Sequence, residues 1–175
     1  DSGLFSPDFR GQEFMAQTIT QVAGRAGRAE RPGEVIVQSR HASHRILRLL
    51  SESNYIDLAK LLLEERKIAA MPPYAQLALI KADGPQLKAT IDLLKQIESF
   101  STRLIQQSES TINSIGPMPA PMEKRAGRYR SQLLFKATSK PIMQRFLTQL
   151  VYQIESLKVA TGVKWSLDVD PQEMI

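Results

Sequence analysis

Val163-Lys164-Trp165-Ser166-Leu167-Asp168-Val169 alternates between apolar and polar side chains at every step. That period of two marks a strand with one face on a core. It predicts Val163, Trp165, Leu167 and Val169 inward, with Lys164, Ser166 and Asp168 outward. Working back from it, Pro141–Leu157 carries Met143, Phe146, Leu147, Leu150, Ile154 and Leu157 at helical spacing. Its proline falls in the first turn, where a missing N–H costs nothing. Gln132–Ala137 alternates again, with Leu133, Phe135 and Ala137 on one side. Thr111–Ile115 reads as a short strand ending at Gly116-Pro117, and Leu77–Ala82 as an apolar run of strand length. Between them Gln86–Gln107 sets Leu87, Ile91, Leu94, Ile97 and Leu104 along one helical face. The order is strand, helix, strand, strand, helix, strand, which predicts a β-α-β-β-α-β split βαβ domain with two helices over one face of four strands.

Ahead of this domain the pattern is mainly helical. Glu13–Arg28 places Phe14, Ala16, Ile19, Val22, Ala23 and Ala26 at helical intervals, and Ala42–Ser51 and Tyr55–Lys67 form two more helices. Leu58, Leu61 and Leu62 give the last one an apolar side. Glu34-Val35-Ile36-Val37-Gln38, after Gly33, reads as a strand by its β-branched content. Met71-Pro72-Pro73-Tyr74 cannot continue a helix and sets the expected boundary between residues 1–73 and 74–175. The resulting class is mixed, α/β followed by α+β.

The whole chain has 175 residues, 42% of them hydrophobic and 23% charged, with a formal charge of +5 that tilts it toward polyanionic partners. Cysteine is absent, which excludes disulfides, thiolate nucleophiles and cysteine zinc sites within these residues. His41 and His44 are too few for a closed zinc site and are expected at a helix start. No apolar run reaches the length of about 20 residues needed for a bilayer span, and Asp1-Ser2-Gly3 carries no secretory pattern. A soluble, intracellular protein without membrane attachment is expected, and a start without Met is expected of a piece of a longer polypeptide.

Two stretches carry chemistry. In Gln21-Val22-Ala23-Gly24-Arg25-Ala26-Gly27-Arg28 the spacing of four and three puts Gln21, Arg25 and Arg28 on one helical face. Gly24 and Gly27 each cost a helix roughly 1 kcal/mol relative to Ala, so their place beside two arginines suggests close backbone approach to another group. Planar guanidinium groups suit a phosphoryl group in transfer. A solvated basic helix end is the alternative. No Gly-x-x-x-x-Gly-Lys-Ser/Thr phosphate loop and no Asp-Glu-x-His motif occurs, so these residues alone cannot hydrolyse ATP. The second stretch runs from Gly116-Pro117-Met118-Pro119-Ala120-Pro121 to Lys124-Arg125-Ala126-Gly127-Arg128-Tyr129-Arg130. It reads as a stiffened basic loop between the middle strands. Lys124, Arg125, Arg128 and Arg130 around Tyr129 match what nucleic acid asks for, cations for phosphate and a ring for base or sugar. A solubilising hairpin, or arginines held by acidic neighbours, is the alternative. Asp168 and Asp170 are expected to partner such arginines, Trp165 to sit in the core, and the six methionines to fill it.

The Gln-x-x-Gly-Arg-x-Gly-Arg stretch resembles the arginine motif in the second RecA-like lobe of superfamily 2 helicases. The likeness narrows with Leu4-Phe5-Ser6-Pro7-Asp8-Phe9-Arg10-x-x-Glu13, Glu65-Arg66 before Met71-Pro72-Pro73, and Gly-Pro-x-Pro-Ala-Pro. Gly-Arg-Tyr-Arg-x-Gln-Leu-Leu and Lys164-Trp165-Ser166-Leu167-Asp168-Val169-Asp170-Pro171 complete it. Together, in colinear order over nearly the whole chain, these resemble the end of the PriA family of bacterial primosomal replication-restart helicases. The resemblance implies a partial RecA-like lobe two followed by a C-terminal domain like a small-ribosomal-subunit protein. It implies an ATP-dependent 3′ to 5′ DNA helicase that acts at abandoned forks and assembles the primosome. Arg28 and Arg25 would be its arginine fingers, and Gln21 would help couple the lobes. ATP and magnesium would be held mainly by absent parts, and the family's zinc cysteines also lie outside these residues. Implied partners are branched and single-stranded DNA, other primosome proteins, and the acidic C-terminal tail of single-stranded DNA-binding protein. Lys140 and Gln144, four apart where Ser139-Lys140-Pro141 opens a helix, would receive that tail's carboxylates, an ordinary surface lysine being the alternative. The implied location is bacterial cytoplasm, at the nucleoid. A non-enzymatic RNA- or protein-binding module built on the ferredoxin-like half is the rival reading.

Overall fold

Gln76–Gly84 (β1) is the strand around which the second half of the chain assembles, and its first half is covered on both faces. Ala78, Ile80 and Ala82 join a continuous apolar core, while Leu77 and Leu79 on the opposite face are also sealed from solvent. In the computed structural model, which describes residues 1–26, 34–52, 55–107, 111–172 and 174, the chain divides into two compact units, Asp1–Ala69 and Ala70–Ile175.

In the second unit β1 is followed by Leu87–Gln107 (α4), Ile112–Arg125 (β2), Arg128–Ala137 (β3), Lys140–Glu155 (α5) and Lys164–Val169 (β4). The strands form one antiparallel sheet in the order β2-β3-β1-β4. Leu93, Leu94, Ile97 and Leu104 of α4 share one core with Met143, Phe146, Leu147, Leu150 and Ile154 of α5 and with Leu133, Phe135 and Ala137 of β3. Phe135 and Phe146 meet edge to face at 5.0 Å, an arrangement that aromatic quadrupoles favour. Beneath α4 the hydroxyls of Thr90 and Ser131 share a buried hydrogen bond of 2.7 Å. Trp165 and Leu167 pack against the core but stay half-buried. Val169, expected inward, is 40% exposed, because it ends an edge strand that among the described residues pairs with β1 alone.

The stretch expected to be a loop after Ile115 is a strand instead. β2 continues through Pro117, Pro119 and Pro121 to Arg125, with register shifts between Ile115 and Met118 and between Pro119 and Lys124. Prolines survive here because β2 lies at the sheet edge, where a missing N–H breaks no ladder, and the shifts absorb the misfit. Gly116 takes φ +111, and a Cβ there would come within 2.9 Å of the Gln132 carbonyl.

The first unit packs Gly11–Ala26 (α1), Arg45–Glu52 (α2) and Tyr55–Ile68 (α3) around Leu4, Ala16, Ile46, Leu58, Leu61 and Leu62. Asp8 opens α1 by accepting the Arg10 N–H at 2.9 Å, an Asx arrangement of the kind that favours helix starts. The Arg66 guanidinium on α3 pairs with the Glu13 carboxylate on α1 and lies 4.9 Å from the Phe9 ring, whose neighbour Arg10 lies 4.3 Å from it. The expected strand at Glu34–Gln38 does not form: residues 34–39 are irregular, and 34–38 are exposed. β-branched residues favour a strand only where another strand pairs with them, and among the described residues none does.

Candidate nucleic-acid interface

The basic stretch is the tip of the β2–β3 hairpin. Lys124 faces Tyr129 and Arg125 faces Arg128 across it, joined by Ala126 and Gly127. Both turn residues have positive φ, +49 and +79, the requirement for the primed two-residue turns that match strand twist. The Lys124 Nζ sits 4.8 Å from the centre of the Tyr129 ring, within cation–π reach. Lys124 and Arg125 are exposed, and Tyr129 and Arg130 half-buried.

Arg128 is differently placed. Its Nε donates to the Asp83 carboxylate, and its Nη2 donates to the carbonyls of Asp83 at 3.1 Å and Gly162 at 2.8 Å. One guanidinium thereby ties the start of β3 to the end of β1 and to the turn before β4. Asp83 was not legible as its partner, since 45 residues separate the two. The aspartates expected to hold the basic stretch do not do so in the case of Asp168, which accepts from Lys81 Nζ at 3.1 Å across adjacent strands. Asp170 takes φ +52 just past β4, its N–H donating to the Leu77 carbonyl.

Gln21 and Arg25 both lie on the last turns of α1, one helical turn apart and exposed. Arg28 and Gly27 lie outside the described residues. A Cβ on Gly24 would meet nothing within 4 Å among the described residues. Lys140 and Gln144 are exposed on the first turns of α5, where the Ser139 side chain makes no capping hydrogen bond. His44 accepts the Ile46 N–H through Nδ1 at 3.3 Å at the start of α2, and Phe5 packs edge-on against both histidines. Among the described residues no group of three or more His, Asp or Glu is placed to hold a metal, and no helix is long and apolar enough to cross a membrane.

The family model for the primosomal protein N C-terminal domain matches residues 67–172. The chain belongs to the PriA family. The replication restart protein PriA of Haemophilus influenzae is 41% identical over 175 residues, which cover 99% of this chain and 23% of that protein. The PriA of Synechocystis is 33% identical over 173 residues, 98% of this chain and 20% of its own length. The Bacillus subtilis PriA is 29% identical over 175 residues, covering 100% and 21%. The chain thus spans about a fifth to a quarter of the PriA relatives it matches.

Proposed function

We propose that this chain is the C-terminal portion of an ATP-dependent 3′ to 5′ DNA helicase that recognises abandoned replication forks and restarts replication through primosome assembly. The observation that carries this reading is the match to replication restart proteins over 98–100% of the chain. Residues 1–73 are read as the end of a RecA-like lobe two, and residues 74–175 as a split βαβ, ferredoxin-like domain that meets DNA and partner proteins. The second assignment is supported by the element order of that unit and by its strand order β2-β3-β1-β4.

In this reading Arg25 and Arg28 would face ATP and magnesium held by the remainder of the polypeptide, and Gln21 would couple the lobes. The bound nucleotide supplies the phosphoryl group. What this chain supplies is positive charge in a planar fork, able to lie against its oxygens and to neutralise the charge that develops there. The exposed placement of Gln21 and Arg25 on one helical face is compatible with that role. The absence of cysteine means that any thiolate zinc site belongs to other parts of the protein. Lys124, Arg125, Tyr129 and Arg130 would meet branched and single-stranded DNA. Lys140 and Gln144 would receive the acidic tail of single-stranded DNA-binding protein, supported by a helix start whose N–H groups lack a side-chain cap. A cytoplasmic, nucleoid-associated location follows from those partners.

The test is made in the intact restart protein. Arg25→Ala and Arg28→Ala should each lower DNA-stimulated ATP turnover on the order of a thousandfold, the usual scale for an arginine finger, while forked-DNA binding persists. Unchanged turnover would remove the arginines from the ATP site. A preference of the chain for structured RNA over forked and single-stranded DNA would favour the binding-module alternative.

A further inference from the structure

The two faces of the sheet differ in a way that bears on how nucleic acid would lie on it. Tyr129, Phe135 and Trp165 are the aromatic residues of the four strands. Phe135 and Trp165 belong to the core beneath the helices, and Tyr129 shares their side by strand alternation. On the face opposite α4 and α5, Asp83 of β1 is flanked in register by Lys164 of β4 and by Arg130 of β3. An acid between two cations would ordinarily pair with one of them. Here its carboxylate is taken by Arg128 instead. Lys164, Arg130 and Arg125 make no ion pair with another described residue. Three cations therefore remain at one end of this face with the nearest acid neutralised, while Leu77, Leu79 and Leu134 toward its other end are buried.

We propose that Lys164, Arg130 and Arg125 form a phosphate-binding row for single-stranded DNA across the end of the sheet face opposite α4 and α5, with Arg128 holding the row's frame rather than contacting the strand. This rests on the reading that the second unit meets nucleic acid, and it specifies where. Lys164 and Arg130 stand opposite the same residue on either side of β1, so their backbones are two strand spacings apart, about 10 Å. Long side chains across such a gap can follow a flexible backbone. None of the strand residues puts a ring on this face, so contact is with phosphate and indifferent to sequence. Net positive charge at this accessible end of the sheet fits a polyanion and disfavours a basic peptide.

The experiment measures binding of the full 175-residue chain to fluorescein-labelled oligothymidylate as a function of sodium chloride. Lys164→Gln and Arg130→Gln should each reduce the slope of log affinity against log salt by about 0.7, a loss of about fivefold near 0.1 M salt. Arg130→Lys should keep the slope, and Lys95→Gln, exposed on α4, should leave both slope and affinity alone. Equal losses with oligodeoxyadenylate would accord with sequence-indifferent contact. Unchanged slopes for both Lys164→Gln and Arg130→Gln overturn the row. A loss at Lys124→Gln without one at Lys164→Gln also overturns it, while leaving the nucleic-acid reading in place. A slope that no basic-residue variant moves defeats that reading as well. Effects confined to a duplex probe would reject single-stranded DNA as the occupant.

Discussion

The second unit gathers its apolar side chains on one face of a sheet and closes that face with two helices, so that large residues such as Phe135, Leu94 and Leu150 are inaccessible to water. The first unit has the same kinds of residue but a smaller shared core. Its three helices enclose a cluster around Leu58, while Ile36 and Ile68 stand 84% and 88% exposed and Phe14 and Val22 about half so. A cleft of about 460 Å³, lined by Ile19, Val35, Val37 and Leu50 together with Ser39 and Ser51, stays open. Hydrophobic stabilisation follows the area removed from water, about 25 cal/mol per Å², so composition alone does not set it. Topology decides how much of a given set of side chains is covered. The difference predicts two unfolding transitions, the first unit melting earlier and being trimmed first by protease.

The lone tryptophan, Trp165, lies in the second unit and reports on it selectively. Phe135→Ala should make the largest change, lowering that unit's stability by about 3–5 kcal/mol. In urea the fluorescence transition would then move toward, or merge with, the helical signal of the first unit. A fluorescence midpoint that stays put would deny that the second core is the tighter one. Leu58→Ala, at a fully buried position, should cost about 3 kcal/mol and widen the gap, seen as lost ellipticity with unchanged fluorescence.

How far this contrast was legible depends on whether a segment carries its own evidence. α4 and α5 were readable because Leu94, Ile97, Phe146 and Leu150 recur over many residues at one period. β1, β3 and β4 were readable from apolar content and alternation. Pairing between distant residues was not. Val35, Ile36 and Val37 have strand propensity, yet strands exist only in company. The prolines of β2 signal a loop until its place at the sheet edge is known, and that place depends on the whole topology. For the candidate site, the cations at the hairpin tip were visible as a cluster, whereas the commitment of Arg128 to Asp83 and the alignment of Lys164 with Arg130 arise from strand register. Arg28, the residue on which the motor reading leans hardest, lies outside the described residues.

Smaller changes sharpen the contrast further. Glu13→Ala leaves Arg66, whose side chain is 16% exposed, without its carboxylate, and should cost the first unit about 2 kcal/mol. Limited proteolysis should then release first-unit fragments sooner, with the second unit intact. Ser131→Ala removes the buried bond to Thr90 and should cost the second unit about 1 kcal/mol, visible as a modest shift of the tryptophan midpoint alone. Ala126→Asn, placing a residue tolerant of positive φ in the hairpin turn, should raise that midpoint by about 0.5 kcal/mol. A destabilisation there would contradict the turn geometry.

The proline-bearing outer strand has a consequence for how copies of this protein behave beside one another. An exposed sheet margin with its full set of amide hydrogens is a template on which a second polypeptide can grow, the first step toward fibrils. Pro117, Pro119 and Pro121 lack amide hydrogens on one margin, and the register shifts against β3 interrupt its regular ladder. The other margin, β4, is six residues long and offers little length to copy. Crowded together, these molecules should remain separate.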